Sequence, residues 1–530
     1  NTQNHIIQEI KNFSLSYQTK NNILLISEFN NIISENIADQ PAPYIYEKLG
    51  NRFNNYFIDE FQDTSELQWK NIIPLTSHAI EGVDINDSPG SLLLVGDPKQ
   101  SLYQWRGASP EIFKSLIEKE TPFFIQPTIY NLEKNFRSSK FIVEFNNSFF
   151  SFLMDKIKID QVHQTFNSFQ QKHTKSNTGQ VSVSFIDKST KDEYRLSTLQ
   201  SILKIILKKL DQNFSLKDIA ILLRSNDECA QVSNFLLENK IYVKSEDMFS
   251  IDSCPEIIFL ISVLKVKNDL NNLSLKLEIL KFLSIKNKET KKHDFIDSNL
   301  VNDISLIFKK YLNLNFQKFQ KLDIYDSVEF LINNTCIFNE KIIYVQSFLD
   351  LILDYRAANK KFKETFFEYW DRKKSKIKIT PPSDMNAVKV LTVHKSKGLQ
   401  YPIVILPFFD SNLTKSNFKT WIELKENDIH KKVLLQFSKS LKDFNDNTLR
   451  KYNNLINNMT NESINLMYVA LTRAQNENHI ISKLPKEKNL NSFSGLIHDF
   501  LVSKYSKKFQ NNQLLIGKES KESHFDESIM

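Results

Sequence analysis

The strand-like runs of this chain are short and apolar throughout, and that feature restricts the fold more than any other. "YFI" (56–58), "LLLV" (92–95), "IAILL" (219–223) and "YPIVIL" (401–406) show none of the apolar–polar alternation of a sheet with one wet face. Such runs fit strands of a parallel sheet covered on both faces, with the helical-period stretches between them as crossovers. The pattern predicts an α/β fold built on parallel sheets.

A length of 530 residues exceeds what one hydrophobic core holds, so several domains are expected. Residues 1–50 read as helical, followed by the strand at 56–58, a helix at 65–80, the strand at 92–95, a helix at 109–119 and a strand "TIYNL" at 128–132. A second alternating series runs through "VSVSFID", a helix over 193–210, "IAILLRS", a helix over 228–238 and "IYVKSE". Strand signals thin out over 253–384, which reads as an inserted all-helical domain. "VKVLTVHKSKG", "YPIVILPFF", a helix near 461–471 and "NHIIS" then resume the sheet. The expected boundaries are 1–130, 131–252, 253–384 and 385–485, with a C-terminal linker over 486–530.

Net charge is +7, from 69 basic and 62 acidic residues, which suits local basic surfaces rather than a uniformly cationic chain. Cys229, Cys254 and Cys336 are far apart, with neither metal-ligand spacing nor a disulfide framework, so a cytoplasmic location is expected. The longest apolar stretches are too short to span a bilayer.

The carboxyl ends of the strands carry the candidate chemistry, because ligands of parallel sheets sit there. Asp59 and Glu60 directly follow the first run. One carboxylate of such a pair can hold magnesium while its neighbour polarises a water, although two solvated acids at a turn read equally simply. Gly96-Asp97-Pro98-Lys99-Gln100 follows the second run, and adjacent strands would bring the Gln100 amide near Glu60. Tyr103, Trp105 and Arg106 suit stacking on unpaired bases; a core anchor at Trp105 under a surface arginine is the other reading. Arg137 and Arg473 are candidate clamps for a γ-phosphate. Thr392, His394 and Lys397, before Gly398, suit nucleic-acid phosphates, or else form a solvated basic turn. The basic run "DRKKSKIK" (371–378) is a second candidate surface for DNA phosphates.

In order, these segments resemble the UvrD/RecB/AddA branch of superfamily 1 DNA helicases. "FIDEFQDTS" is similar to motif II, "LLLVGDPKQSLYQWRGA" to motif III, "LEKNFRSS" to motif IV, "VLTVHKSKGLQYPIVIL" to motif V and "NLMYVALTRAQ" to motif VI. The resemblance covers residues 40–485 and leans to the helicase–nuclease subunits through "HKSKG" and "DEFQDTS". It implies RecA-like motor domains of the P-loop NTPase type, with ATP and Mg2+ as ligands. Asp59 would hold magnesium, Glu60 would be the catalytic base, Gln100 would couple the γ-phosphate to DNA, and Arg137 and Arg473 would be arginine fingers. Tyr103, Trp105 and Arg106 would lie along single-stranded DNA; Thr392, His394 and Lys397 would touch its backbone. Gln400 stands where motif V usually has an acid that contacts the nucleotide sugar.

None of the nine glycines satisfies the spacing G-x-x-x-x-G-K-[ST] of a phosphate-binding loop. The family carries that loop upstream of motif II, so a fragment lacking it is expected, with any nuclease domain following Met530. The implied function is 3′–5′ DNA unwinding or translocation in double-strand break repair and recombination. Single-stranded and duplex DNA and a second subunit like AddB or RecC are the implied partners. The alternatives are a UvrD-type repair helicase without nuclease, or a nonhydrolytic helicase-like DNA-binding subunit.

Overall fold

The computed structural model describes residues 2–38, 53–82, 88–118, 120–175, 179–245, 251–287, 289, 291–362, 365–374, 377, 386–414, 418–426, 429–443, 445–486 and 490–519. They form two compact units, Asn1–Arg224 with Thr392–Met530, and Ser225–Leu391.

The first unit opens with helices Thr2–Asn21 and Ile26–Ala38. Strand β1 (Asn55–Ile58) then pairs in parallel with β2 (Ser91–Leu94), with Phe57 opposite Leu93. Helix Glu66–Glu81 connects them. It starts where Ser65 and Gln68 form a reciprocal capping box, and it ends at Gly82. Phe61, Trp69, Leu116 and Phe123 form the core beneath, with Phe61 and Trp69 edge to face at 4.9 Å. Only one face of this pair is covered among the described residues: Phe57 is 71% exposed and Leu93 50%. The uniformly apolar runs predicted burial on both faces; the burial seen here alternates along each strand. "TIYNL" forms no strand. Tyr130 and Leu132 project into solvent, with no partner strand beside them among the described residues.

A second sheet in the same unit comprises β3 (Gly179–Ile186), β4 (Ile219–Leu223), β5 (Tyr401–Leu406), β6 (Ala474–Lys483) and β7 (Gln513–Lys518), in spatial order β7-β3-β6-β5-β4. All neighbours are parallel except β7, which runs antiparallel to β3. Every residue of β4 and β5 is buried, as their apolar runs predict. Helices Lys140–Lys156, Lys191–Asp211, Asp446–Leu471 and Phe493–Lys504 belong to this unit. Phe145, Phe149 and Phe500 join the first and last of these helices through ring contacts.

Three features of this sheet domain differ from expectation. The helix read at 461–471 begins at Asp446, where Asn445 and Thr448 form a capping box, and its 26 residues span about 39 Å. An antiparallel hairpin, Lys419–Glu426 with Ile429–Gln436, precedes it and packs through Ile422, Phe437 and Tyr452. The segment after 485, expected as a linker, carries helix Phe493–Lys504 and the edge strand β7.

The second unit begins with helix Asn226–Glu238 and a short parallel pairing of Val243–Lys244 with Val388–Lys389. Between residues 251 and 374 the described residues are helical or looped and contain no strand. Pro255–Val266, with proline in its first turn, is mostly apolar and forms the centre of this unit's core. Phe259, Phe308, Phe319, Phe348 and Trp370 pack in the same cluster. No helix among the described residues is long and apolar enough to cross a membrane.

Candidate functional site

The ends of β1 and β2 are joined before any ligand is considered. Val95 donates its N–H to the Ile58 carbonyl at 2.9 Å, and Phe61 donates to the Val95 carbonyl at 3.0 Å. Asp59 is exposed where β1 ends and accepts the Glu60 N–H at 2.8 Å. Glu60 enters the turn Phe61–Asp63 in the left-handed region, at φ 52°. A non-glycine residue there carries local strain, which the surrounding hydrogen bonds must hold.

Gln62 ties the two strand ends together. It is fully buried; its amide nitrogen donates to Glu60 Oε2, and its amide oxygen accepts the Asp97 N–H at 3.0 Å. Gly96 permits this approach, since a Cβ there would sit 2.6 Å from Gln62 Oε1. Asp97 then organises the turn Pro98–Gln100. It accepts the Lys99 N–H at 3.1 Å, the Gln100 amide at 3.0 Å and the Lys99 ammonium at 2.7 Å.

The other half of the site comes from the long helix and the strands of the second sheet. Arg473, 1% exposed, follows helix Asp446–Leu471 at the start of β6. Its guanidinium donates to the Val469 carbonyl (2.9 Å), the Leu399 carbonyl (3.3 Å), Thr472 Oγ1 (2.9 Å) and Gln100 Oε1 (3.4 Å). Arg137 donates to Gln400 Oε1 at 3.2 Å and to the Thr472 carbonyl at 3.2 Å. Asn135 fixes that arginine by accepting the N–H groups of Arg137 and Ser138. Buried Asn465 donates to the carbonyls of Pro98 and Ser101, so the same helix grips the Gln100 turn. Burial first, and Arg137 second, bring Arg473 down to about 10, still cationic at neutral pH. Burial lowers Arg137 as well, and it raises buried Tyr468, which lies near both arginines and Asp97.

The structure thus brings Glu60, Gln100, Arg137, Gln400 and Arg473 into one connected region, with Asp59 at its open edge. Lys397 joins them unexpectedly. Its side chain is only 8% exposed, and its ammonium lies 3.0 Å from Glu60 Oε2, closer still to Asp63, and 5.6 Å above the Tyr103 ring. Burial raises the Asp63 carboxyl in spite of Lys397 beside it. Thr392 is buried and His394 half-buried, whereas Arg106 is exposed with its guanidinium 5.4 Å over the Tyr103 ring. The side chain of Trp105 lies outside the described residues, as do Lys376 and Lys378 of the basic run. Sequence reasoning missed Gln62, Asp63 and Asn465. Only the first two had a signal, a glutamine and an acid directly behind the acidic pair.

Sequence comparison fits this arrangement. A profile of the UvrD/REP helicase N-terminal domain matches residues 1–121, and one of the UvrD-like helicase C-terminal domain matches 130–327 and 309–484. The chain belongs to the UvrD/REP helicase family. Family members are ATP-dependent helicases, and within the family this chain is distantly related to helicase–nuclease subunits. It is 27% identical to the RecBCD enzyme subunit RecB of Buchnera aphidicola (subsp. Schizaphis graminum) over 551 residues, 93% of this chain and 43% of that protein. It is 24% identical to the exonuclease/helicase subunit RexA of Streptococcus pneumoniae (serotype 4) over 523 residues, 84% of this chain and 41% of that protein. The chain therefore spans about two fifths of the length of the curated relatives it matches.

Proposed function

We propose that this UvrD/REP-family protein is an ATP-driven 3′–5′ DNA helicase or translocase, acting as the motor of a cytoplasmic helicase–nuclease in double-strand break repair and recombination. The observation that carries the reading is the contact between Gln100 and Arg473, which joins the Glu60 turn to the arginine pair. Glu60 is the base for the water that attacks the γ-phosphate. Arg137 and Arg473 offset the charge that spreads over the equatorial oxygens, and Gln100 reports the phosphate's presence to the neighbouring DNA segment. Gln400, hydrogen-bonded to Arg137, meets the nucleotide sugar with an amide in place of an acid.

The donor set fits magnesium shared with the nucleotide. Asp59 is an exposed carboxylate, and among the described residues no group of three or more His, Cys, Asp or Glu could hold a metal unaided. Magnesium commonly takes one or two carboxylates and completes its shell with phosphate oxygens and water. Bound there, it would neutralise charge on the β- and γ-phosphates. Tyr103, Trp105 and Arg106 offer a base-stacking surface, and Thr392, His394 and Lys397 contact the strand's phosphates. The partners in this reading are single-stranded and duplex DNA and a second subunit of the AddB or RecC kind; that the relatives are each named as a subunit supports an assembly.

The test is ATP turnover by the full-length protein with and without single-stranded DNA, alongside strand displacement on 3′- and 5′-tailed duplexes. Turnover stimulated by DNA, displacement from 3′ tails only, and a loss of roughly 10³-fold in Arg473→Ala are expected. DNA binding without turnover would leave the nonhydrolytic reading in its place.

A further inference from the structure

The contact that this site does not explain is Lys397. Resting on the motor reading, we propose that Lys397 is a positioning residue that holds Glu60 in a resting arrangement until a nucleic-acid phosphate replaces the carboxylate as its partner. Hydrolysis would then depend on DNA through one ammonium.

Glu60 Oε2 accepts from the Lys397 ammonium at 3.0 Å and also from the Gln62 amide, so the lone pairs of that oxygen are engaged. While Oε2 is so occupied, a water bound for the γ-phosphate can give its proton only to Oε1, and the ammonium fixes where that oxygen points. Asp63 shares the ammonium, and the Tyr103 ring lies 5.6 Å from it, so carboxylates and an aromatic face enclose the cation. The same lysine belongs to the segment that would carry DNA phosphates.

Its backbone lies between a fixed and a free element. Ser396, fully buried, closes the turn Val393–Ser396 by donating to the Val393 carbonyl at 2.7 Å. On the other side Gly398 has φ +76°, with nothing within 4 Å of where its Cβ would lie. The turn that carries Lys397 is thus held by Ser396 and not by the lysine's own side chain. A phosphate bears a full charge on oxygens that accept strong hydrogen bonds, so it can compete for the ammonium.

The experiment compares the full-length protein with Lys397→Met, Lys397→Gln and Lys397→Arg, each checked by thermal melting, in ATP turnover with and without oligodeoxythymidylate. The parent must turn over ATP with DNA stimulation; a silent parent would overturn the motor reading and this proposal with it, whereas a stimulated parent lets the variants test this proposal alone. In Lys397→Met the DNA-free kcat should rise roughly tenfold, the scale of one lost charged hydrogen bond, and stimulation by DNA should largely vanish. The KM for ATP should stay put, and Lys397→Arg should keep the stimulation. Lys397→Gln keeps a donor without the charge, so it decides the matter if the methionine variant does not fold. A DNA-free rate that stays level or falls in the uncharged variants would overturn the proposal and leave Lys397 as a structural or directly catalytic group.

Discussion

Lys209→Met should destabilise the second sheet by about 3 kcal/mol, the lower end of the ~3–5 kcal/mol typical of a buried ion pair broken on one side. Lys209, on helix Lys191–Asp211, lies 2.6 Å from Glu477 of β6, with side-chain exposures of 2% and 0%. Removing the ammonium leaves a carboxylate inside the sheet. The lower end applies because His479 Nε2, 3.0 Å from Glu477, still donates to it, while the other ring nitrogen lies 2.6 Å from Ser182 Oγ on β3. Hydrogen exchange of the β3 and β6 amides measures this locally, in a protein built of two compact units. About 3 kcal/mol corresponds to exchange roughly two orders of magnitude faster. The double variant Lys209→Met/Glu477→Gln, which removes both charges, should recover most of the loss. Acceleration below tenfold, or no recovery in the double variant, would refute the claim that an unpaired buried charge is responsible.

The same carboxylate sets an acid limb. Burial pushes Glu477 up, but His479 and Lys209 outweigh it and hold it below its ordinary value. Its contribution is therefore present at neutral pH and lost as pH falls through the depressed value, below the usual carboxylate range. Protection of β6 should decline there in the parent and much less in Glu477→Gln. On the second unit, replacing Arg372, Lys373 and Lys374 with alanine should flatten the salt dependence of duplex DNA binding. The slope should change by less than the roughly three that three freely available cations would give, because Asp371 already holds Lys374 at 2.6 Å. An unchanged slope would make this run a solubilising face.

Strand chemistry was the most legible part of the sequence. The apolar runs at 219–223 and 401–406 are fully buried strands, as their lack of any polar residue predicts. At 56–58 and 92–95 the same pattern gives a pair with one face covered among the described residues. Strand β7 was hidden because an edge strand needs to satisfy only one neighbour, and Leu515 on its outward face is 57% exposed. The motif residues gave away their own positions; their partners were less visible. Asn465 acts through an amide that donates to carbonyls distant in the chain, and no local pattern marks such a residue. Lys397 was legible as a basic residue near a glycine. Its pairing with Glu60 was not, since the two lie far apart in the chain and meet only when it folds back on itself.

The most direct test of the central claim is Glu60→Gln in the full-length protein, with nucleotide binding and turnover measured side by side in the presence of single-stranded DNA. An amide keeps hydrogen bonding at the carboxylate's position but cannot take up a proton. Nucleotide affinity should therefore hold within a few-fold while turnover falls by about 10² or more, the range of a lost general base. Unimpaired turnover in Glu60→Gln would contradict the assignment of this acidic pair as the hydrolytic centre.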